Sequence, residues 1–292
     1  MRVVFFLIFL LSTAFGQAPK VDELLEKKTL LTLQDLAARL DGVMGVAAID
    51  LTTGHTISIN GVTVFPQASS IKIPIMIQVF RQIGLGKLRM DQEATVNLKS
   101  LVDSSPRFKA AAESTGKMTI RQLIEAMIEV SDNASTNVLI QLVGMGNVNA
   151  WLDSAQLRQT RLRRKMIDLG AATRNEENVS TPLEMATLAA KLFRGEVISK
   201  AASAEMLEIL SRVKGDIRAA IPEGIRVAAK PGELTGVHCE TGIVYLDKRP
   251  FALSVSGAFL AEQANPVPEA TKIIFRYFEL LAKSNLYGRG LQ

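Results

Sequence analysis

The chain has 292 residues, of which 48% are apolar and 22% charged. That balance fits a globular protein of one large or two modest domains and excludes a mainly disordered or collagen-like chain. The net charge of +5 is too small an excess to argue for nucleic acid. Two histidines and one cysteine exclude most zinc sites and any internal disulfide, so no metal or cofactor is expected. A Ser-His-Asp triad could draw only on His55 or His238.

In chain order, Met1-Arg2 precedes an apolar run from Val3 to Leu11, and small residues follow at Ala14 and Gly16. This is the pattern of a secretory signal peptide over residues 1–16, leaving a mature chain from Gln17. The run is too short to span a bilayer comfortably, so the mature protein is expected free of the membrane, secreted or periplasmic. Leucines from Leu24 to Leu40 recur at helical spacing between charges. Val43–Leu51 and Thr56–Asn60 read as strands joined by a turn at Thr53-Gly54, and an apolar helix follows Pro66, from about Ser69 to Ile83. The middle of the chain is helix-rich. Thr119 and Gln122 form a capping box, and further helices are expected near 134–143, 148–157, 182–193 and 200–211. Residues 158–180 are polar and aperiodic, a long loop of the kind that is usually functional or disordered. Strands return at 226–230, 241–246 and 251–258, and a helix from about Pro268 to Ser284 ends the chain. Strands at both ends and helices between them predict an α/β (α+β) fold. Its antiparallel sheet is flanked by the terminal helices (residues 20–64 and 212–292) and carries an inserted all-helical lobe (65–211). A cleft between the lobes is the expected ligand site.

The chemistry starts at Ser69-Ser70-Ile71-Lys72. Residues three apart share a helix face, which brings the Lys72 amine towards the Ser69 hydroxyl. Serine is a weak nucleophile until a base takes its proton, and lysine can be that base only when burial or a second cation leaves it partly neutral. A serine at a helix start also sits beside backbone N–H groups suited to an oxyanion. The tetrad alone describes many amphipathic helices, and Ser114–Lys117 and Ser211–Lys214 fit it too. Ser131-Asp132-Asn133, by itself a common helix cap, and Lys230-Pro231-Gly232, by itself a surface turn, complete an ordered set.

These three elements in this order, with Phe65-Pro66 before the nucleophile and the long loop before Thr181-Pro182, resemble the serine penicillin-recognising enzymes, most closely class A β-lactamases. The resemblance runs from about residue 22 to 284 and implies the β-lactamase/transpeptidase-like fold. It implies that Ser69 is acylated, that Lys72 accepts or relays its proton, and that Ser131 passes a proton to the leaving nitrogen. Asn133 would hold the substrate amide, Asp132 would be structural, and Lys230 would add positive charge. Gly232 would let substrate approach the strand, and the N–H groups of Ser69 and Glu233 would form the oxyanion hole.

The sequence departs from that family at three places. The glutamate that activates the deacylating water is replaced by Met166, which cannot take a proton. Asp168 is the nearest carboxylate and the substitute candidate, although pairing with Arg161, Arg163 or Arg164 would give it a holding role instead. Pro231 stands where the family has a hydroxyl for the substrate carboxylate. Asp103-Ser104-Ser105-Pro106 offers no ring at the cleft edge. The leading reading is an exported, monomeric serine hydrolase that opens the β-lactam ring through a Ser69 acyl-enzyme. The alternatives are a penicillin-binding or cell-wall peptide hydrolase that deacylates slowly, and a non-catalytic binding or sensor domain.

Overall fold

The computed structural model describes residues 20–96 and 102–291. The signal-peptide reading of residues 1–16 lies outside them. Five antiparallel strands form the main sheet: β1 (Val43–Asp50), β2 (Thr56–Ile59), β3 (Val227–Leu234), β4 (Val237–Val244) and β5 (Phe251–Ala258), in spatial order β2-β1-β5-β4-β3. The two ends of the chain therefore meet in one sheet, with β1 paired to β5 along its whole length from Val43↔Ala258 to Asp50↔Phe251.

The central strands are apolar on both faces because both faces are covered. Met44, Val46 and Ala48 point into a core shared with Leu33 and Leu36 of the Val21–Arg39 helix and Ile274 and Phe278 of the Val267–Ala282 helix. Phe251 stacks on Phe278 at 4.4 Å between ring centroids. On the opposite face, Ala47, Ala228, Ile243 and Ala252 join a second core with the helices of the middle of the chain. Alternation along a strand thus sends neighbouring residues into different cores.

The Lys72–Gly84 helix is the axis of that second core, with Ile73, Ile75, Met76, Ile77 and Val79 all buried. It does not begin at Ser69 as an α-helix; a 3-10 turn over Ala68–Ile71 precedes it. The Thr119/Gln122 capping box forms as expected and starts the Ile120–Glu129 helix. Three helices the sequence reading missed occur at Pro106–Ser114, Leu169–Thr173 and Asp216–Ala220. Two of them span only five residues each, too short for periodicity to register; of these, Leu169–Thr173 is capped by the Asp168 side chain.

The third strand also departs from expectation. Pro231-Gly232 does not end it; β3 continues to Leu234 and turns at Thr235-Gly236, where Gly236 takes φ +74°. Proline is tolerated because β3 is an edge strand, so the missing N–H faces away from β4. Among the described residues no helix is long and apolar enough to cross a membrane.

Candidate active site

A pocket of about 400 Å³ opens where the 3-10 turn, the edge strand β3 and the Ser131–Asn133 loop converge. Its wall includes Ser69, Ser131, Asn133, Lys230, Gly232 and Glu233, so one cavity gathers residues far apart in sequence. Asp103 and Pro231 line it as well. Lys72 lies beneath, fully buried at the start of its helix.

The backbone around the pocket is strained. Ala68, immediately before Ser69, has φ 40°, Ser131 has φ 57° and Asp103 has φ 41°. The left-handed region costs an L residue on the order of 1–3 kcal/mol, and it persists only where surrounding contacts impose it. Those contacts are visible behind Ser69. The Ser70 hydroxyl donates to the Lys230 carbonyl at 2.9 Å and so locks the turn to β3. The Cys239 thiol lies 3.1 Å from the Gln67 carbonyl oxygen and 3.4 Å from both Ser70 Oγ and the Gly232 carbonyl oxygen. Burial pushes this thiol up to about 11, which keeps it protonated and makes it a packing group with one proton to donate. Gly232 is the closest approach: a β-carbon there would stand 2.7 Å from the Gln67 oxygen and 2.8 Å from the Ser69 and Ser70 nitrogens.

Lys72 Nζ is 2.7 Å from the Ser131 carbonyl oxygen, 3.0 Å from Ser131 Oγ and 2.8 Å from Asn133 Oδ1. The helical spacing predicts a contact with Ser69 Oγ, but among the described residues the amine's hydrogen-bond partners all belong to the Ser131–Asn133 loop. The 3-10 turn and the strained Ser131 present three acceptors that satisfy an ammonium completely. Desolvation, then the charge of Lys230, holds the Lys72 amine well below the ordinary lysine range, with Asp132 and Asp103 opposing. A neutral Lys72 has two donors and a lone pair, and it can give both donors to the carbonyl oxygens and accept the Ser131 hydroxyl proton. Lys230 is also buried, and desolvation brings it down to about 8, with Glu240 opposing.

Asp132 serves the scaffold. Its Oδ1 accepts from Ser135 N–H at 2.5 Å to cap the Asn133–Val143 helix, and its Oδ2 accepts from Ser105 N–H. Hydrogen-bonding direction alternates along an edge strand, so the Glu233 N–H points the same way as the Pro231 nitrogen, off the sheet and towards the pocket. Its carboxylate is exposed, 3.8 Å from His238 Nε2. His55 instead pairs with Glu26 at 2.8 Å, away from the pocket.

The 158–180 loop is fastened to the nucleophile turn. Phe65 and Pro66 pair with Ser180 and Val179, and Gln67 N–H donates to the Asn178 carbonyl at 2.9 Å. Within the loop Arg164 pairs with Glu177 at 2.9 Å, and Arg161 ties the loop to Asp153 of the Met145–Ser154 helix. Asp168 takes none of the arginine partners expected of it. Its Oδ1 accepts from Ala171 N–H at 3.0 Å and caps the short helix that follows, and it is not part of the pocket wall. Met166 is buried in the helical core, with its N–H given to Asn137 Oδ1 at 2.8 Å and its carbonyl oxygen accepting from Asn137 Nδ2 at 3.1 Å. The sequence reading passed over Asn137, Gln67 and Ser70, and treated Asp103 only as the absence of a ring. All four are polar residues whose partners are remote in sequence, so no local pattern marks them.

An antiparallel sheet joined from both chain ends, a helical lobe and a serine–lysine pocket between them are the architecture of a serine hydrolase-type protein of the penicillin-recognising class. Residues 31–276 match the β-lactamase enzyme family, and the chain belongs to it. Among solved structures it is similar to the class A β-lactamase of the last common ancestor of Gram-negative bacteria, at 27% identity and a TM-score of 0.79 over 86% of this chain and 99% of that one. A second structure of an ancestral class A β-lactamase matches at 27% identity and TM-score 0.79, covering 85% of this chain and 99% of that one. The structure of PBP-A shares the fold at 21% identity, with a TM-score of 0.78 over 86% of this chain and 96% of that one.

Proposed function

We propose that the protein is an exported serine hydrolase of class A type that opens the β-lactam ring by acylation of Ser69 and releases the acyl group slowly. The observation that supports it best is the buried amine of Lys72 held at 3.0 Å from the hydroxyl of Ser131, which lines the same pocket as Ser69. In this reading the Ser69 proton passes to Lys72, directly on substrate binding or through Ser131, as Ser69 Oγ attacks the lactam carbonyl. Hydrogen bonds of this kind tighten in the substrate complex. The oxyanion takes the N–H groups of Ser69 and Glu233. Ser131 then delivers a proton to the lactam nitrogen as the ring opens, with Lys230 drawing in negative charge and Asn133 holding the side-chain amide. Burial first, and the charge of Lys230 second, disfavour protonation of Lys72, since two buried ammonium groups repel one another.

Deacylation needs a base for water. Met166 offers none, and Asp168 is committed to a helix cap. Base assistance is worth about 10²–10⁴ in rate, so its loss should leave the acyl-enzyme long-lived. Intact mass followed over time with a penicillin and a cephalosporin tests this. The expected result is a stoichiometric adduct that persists in the parent and is absent in Ser69→Ala. No adduct, or equal labelling of Ser69→Ala, overturns the assignment. Rapid loss of the adduct with accumulating product keeps the nucleophile and overturns the slow release.

A second reading, a cell-wall peptide hydrolase, draws on the same Met166 observation, because a slow acyl-enzyme on β-lactams is compatible with turnover of a peptide. Cleavage of a peptide ending in D-Ala-D-Ala by the parent, lost in Ser69→Ala, would favour it.

A further inference from the structure

We propose that Asp103 is a positioning residue for this site: its carboxylate fixes the amide of Asn133 and, through it, the orientation of the Lys72 amine, while its charge acts on that amine directly. The inference rests on the reading of Ser69 as the acylated nucleophile, and it adds a residue to the machinery that the three motifs do not contain. Asn133 Nδ2 donates to Asp103 Oδ2 at 3.0 Å, while Asn133 Oδ1 accepts from Lys72 Nζ at 2.8 Å. The amide is thereby strung between a carboxylate and an amine. Turned over, it would set its NH₂ against the amine and its oxygen against the carboxylate, so the pair of partners selects one orientation. Without Asp103 only the lysine makes that choice, and it chooses weakly once it is neutral.

The backbone at Asp103 is built to deliver the carboxylate. Its φ of 41° lies in the left-handed region, which aspartate, asparagine and glycine tolerate best. The next anchor is two residues on, where the Ser105 N–H donates to Asp132 Oδ2 and the Ser105 hydroxyl caps Phe108 N–H at 3.3 Å. The Asp103–Ser105 segment is thus tied to the Ser131–Asn133 loop through two separate carboxylates. The groups facing the Lys72 amine are Lys230 from β3, the carboxylates of Asp132 and Asp103, the Ser131 hydroxyl and the Asn133 amide. Burial and Lys230 favour the neutral amine, while Asp132 and Asp103 favour the ammonium. Removing the charge of Asp103 therefore lowers the Lys72 titration further.

Two variants separate orientation from charge. Asp103→Asn tolerates the same backbone and keeps an oxygen for Asn133 Nδ2 but carries no charge. Asp103→Gly tolerates the backbone and removes both. In protein labelled with ¹³C at the lysine ε-carbons, with Lys72 assigned by Lys72→Arg, the Lys72 resonance should titrate at lower pH in Asp103→Asn than in the parent. The acid limb of the pH profile for acylation should move to lower pH with it. In Asp103→Gly the plateau should fall by about tenfold or more, the scale expected when a positioning contact is lost. An unmoved Lys72 resonance in Asp103→Asn, or an Asp103→Gly protein that acylates at the parent plateau, overturns the proposal. The titration is read without substrate. A parent that fails to acylate would therefore defeat the Ser69 reading and leave the effect of Asp103 on Lys72 measurable.

Discussion

At the residue scale, the site depends on backbone approaching backbone. Gly232 is the tightest case, because the three atoms that a β-carbon would meet at 2.7–2.8 Å are all main-chain atoms of the nucleophile turn, and none is the end of a flexible side chain. In Gly232→Ala either β3 retreats or the turn carrying Ser69 tilts. The expected outcome is a fall of about a hundredfold in acylation rate, since a displacement near 1 Å is enough for that. Overpacking should also cost about 1–3 kcal/mol in stability. Rates of adduct formation and urea unfolding curves read the two effects separately, and a parent-like acylation rate would show that the close approach is not needed. The same dependence explains why Ser70, which has no part in the chemistry, is buried with its hydroxyl spent on the Lys230 carbonyl.

At the scale of single elements, β3 is both an edge strand and one wall of the pocket. Those two facts let proline stand at 231. An edge position leaves one row of main-chain donors without a partner strand, and in this protein that row faces the pocket. Pro231 withdraws one donor and a hydroxyl from the row, while Glu233 keeps its N–H. Restoring a hydroxyl with Pro231→Thr should raise acylation efficiency towards a carboxylate-bearing β-lactam by about tenfold to a hundredfold, the equivalent of one charge-assisted hydrogen bond of roughly 1.5–3 kcal/mol. An acyl donor without that carboxylate should gain nothing, and equal gains for both would mean that the strand had changed shape instead. The 158–180 loop shows the complementary case of an element whose polar residues are consumed internally. Asp168 caps a helix, Glu177 holds Arg164, and Asn178 accepts from the N–H groups of Arg163 and Arg164 at 2.7 and 3.0 Å. A loop held so fully presents Met166 to the core and no carboxylate to the pocket.

At the scale of the whole molecule, the sheet carries charge on both faces. Glu240 stands across from Pro231 in register, buried on the face away from the pocket. Its Oε2 accepts from Ile217 N–H at 3.0 Å at the start of the Asp216–Ala220 helix, while Oε1 has no partner among the described residues. Burial pushes its carboxyl up from an ordinary 4.5 to about 7. A carboxyl raised in the fold binds its proton more tightly there than in the unfolded chain. Its contribution to stability is therefore complete below pH 4.5 and is lost as pH rises through 7. Lys230 titrates at about 8, so it is still mostly charged as Glu240 ionises through 7, and its attraction to Glu240 grows only then. Glu240→Gln keeps an acceptor for Ile217 N–H and removes the titration. Relative to the parent, the variant should gain on the order of 1–3 kcal/mol between pH 5 and pH 8, measured by chemical unfolding at both. A difference that does not change with pH would show that Glu240 is not the titrating group.

The amino-acid sequence by itself determined the α/β architecture, the meeting of the two chain ends in one sheet, and the order Ser69/Lys72, Ser131/Asn133 and Lys230/Gly232. Each of these is carried by local periodicity, by a cap or by a short motif, and local signals survive in one dimension. It also made the departure at Met166 legible, because that residue type cannot act as a base. The tertiary structure decided what depends on distant partners. It placed the Lys72 amine on the Ser131–Asn133 loop rather than on Ser69, committed Asp168 to a cap, and carried β3 past Pro231 because the strand lies at an edge. It also brought Asp103 to Asn133. Such choices are settled by which groups lose water together and which remaining acceptor each buried donor can reach, and the separation of residues along the chain holds no record of either.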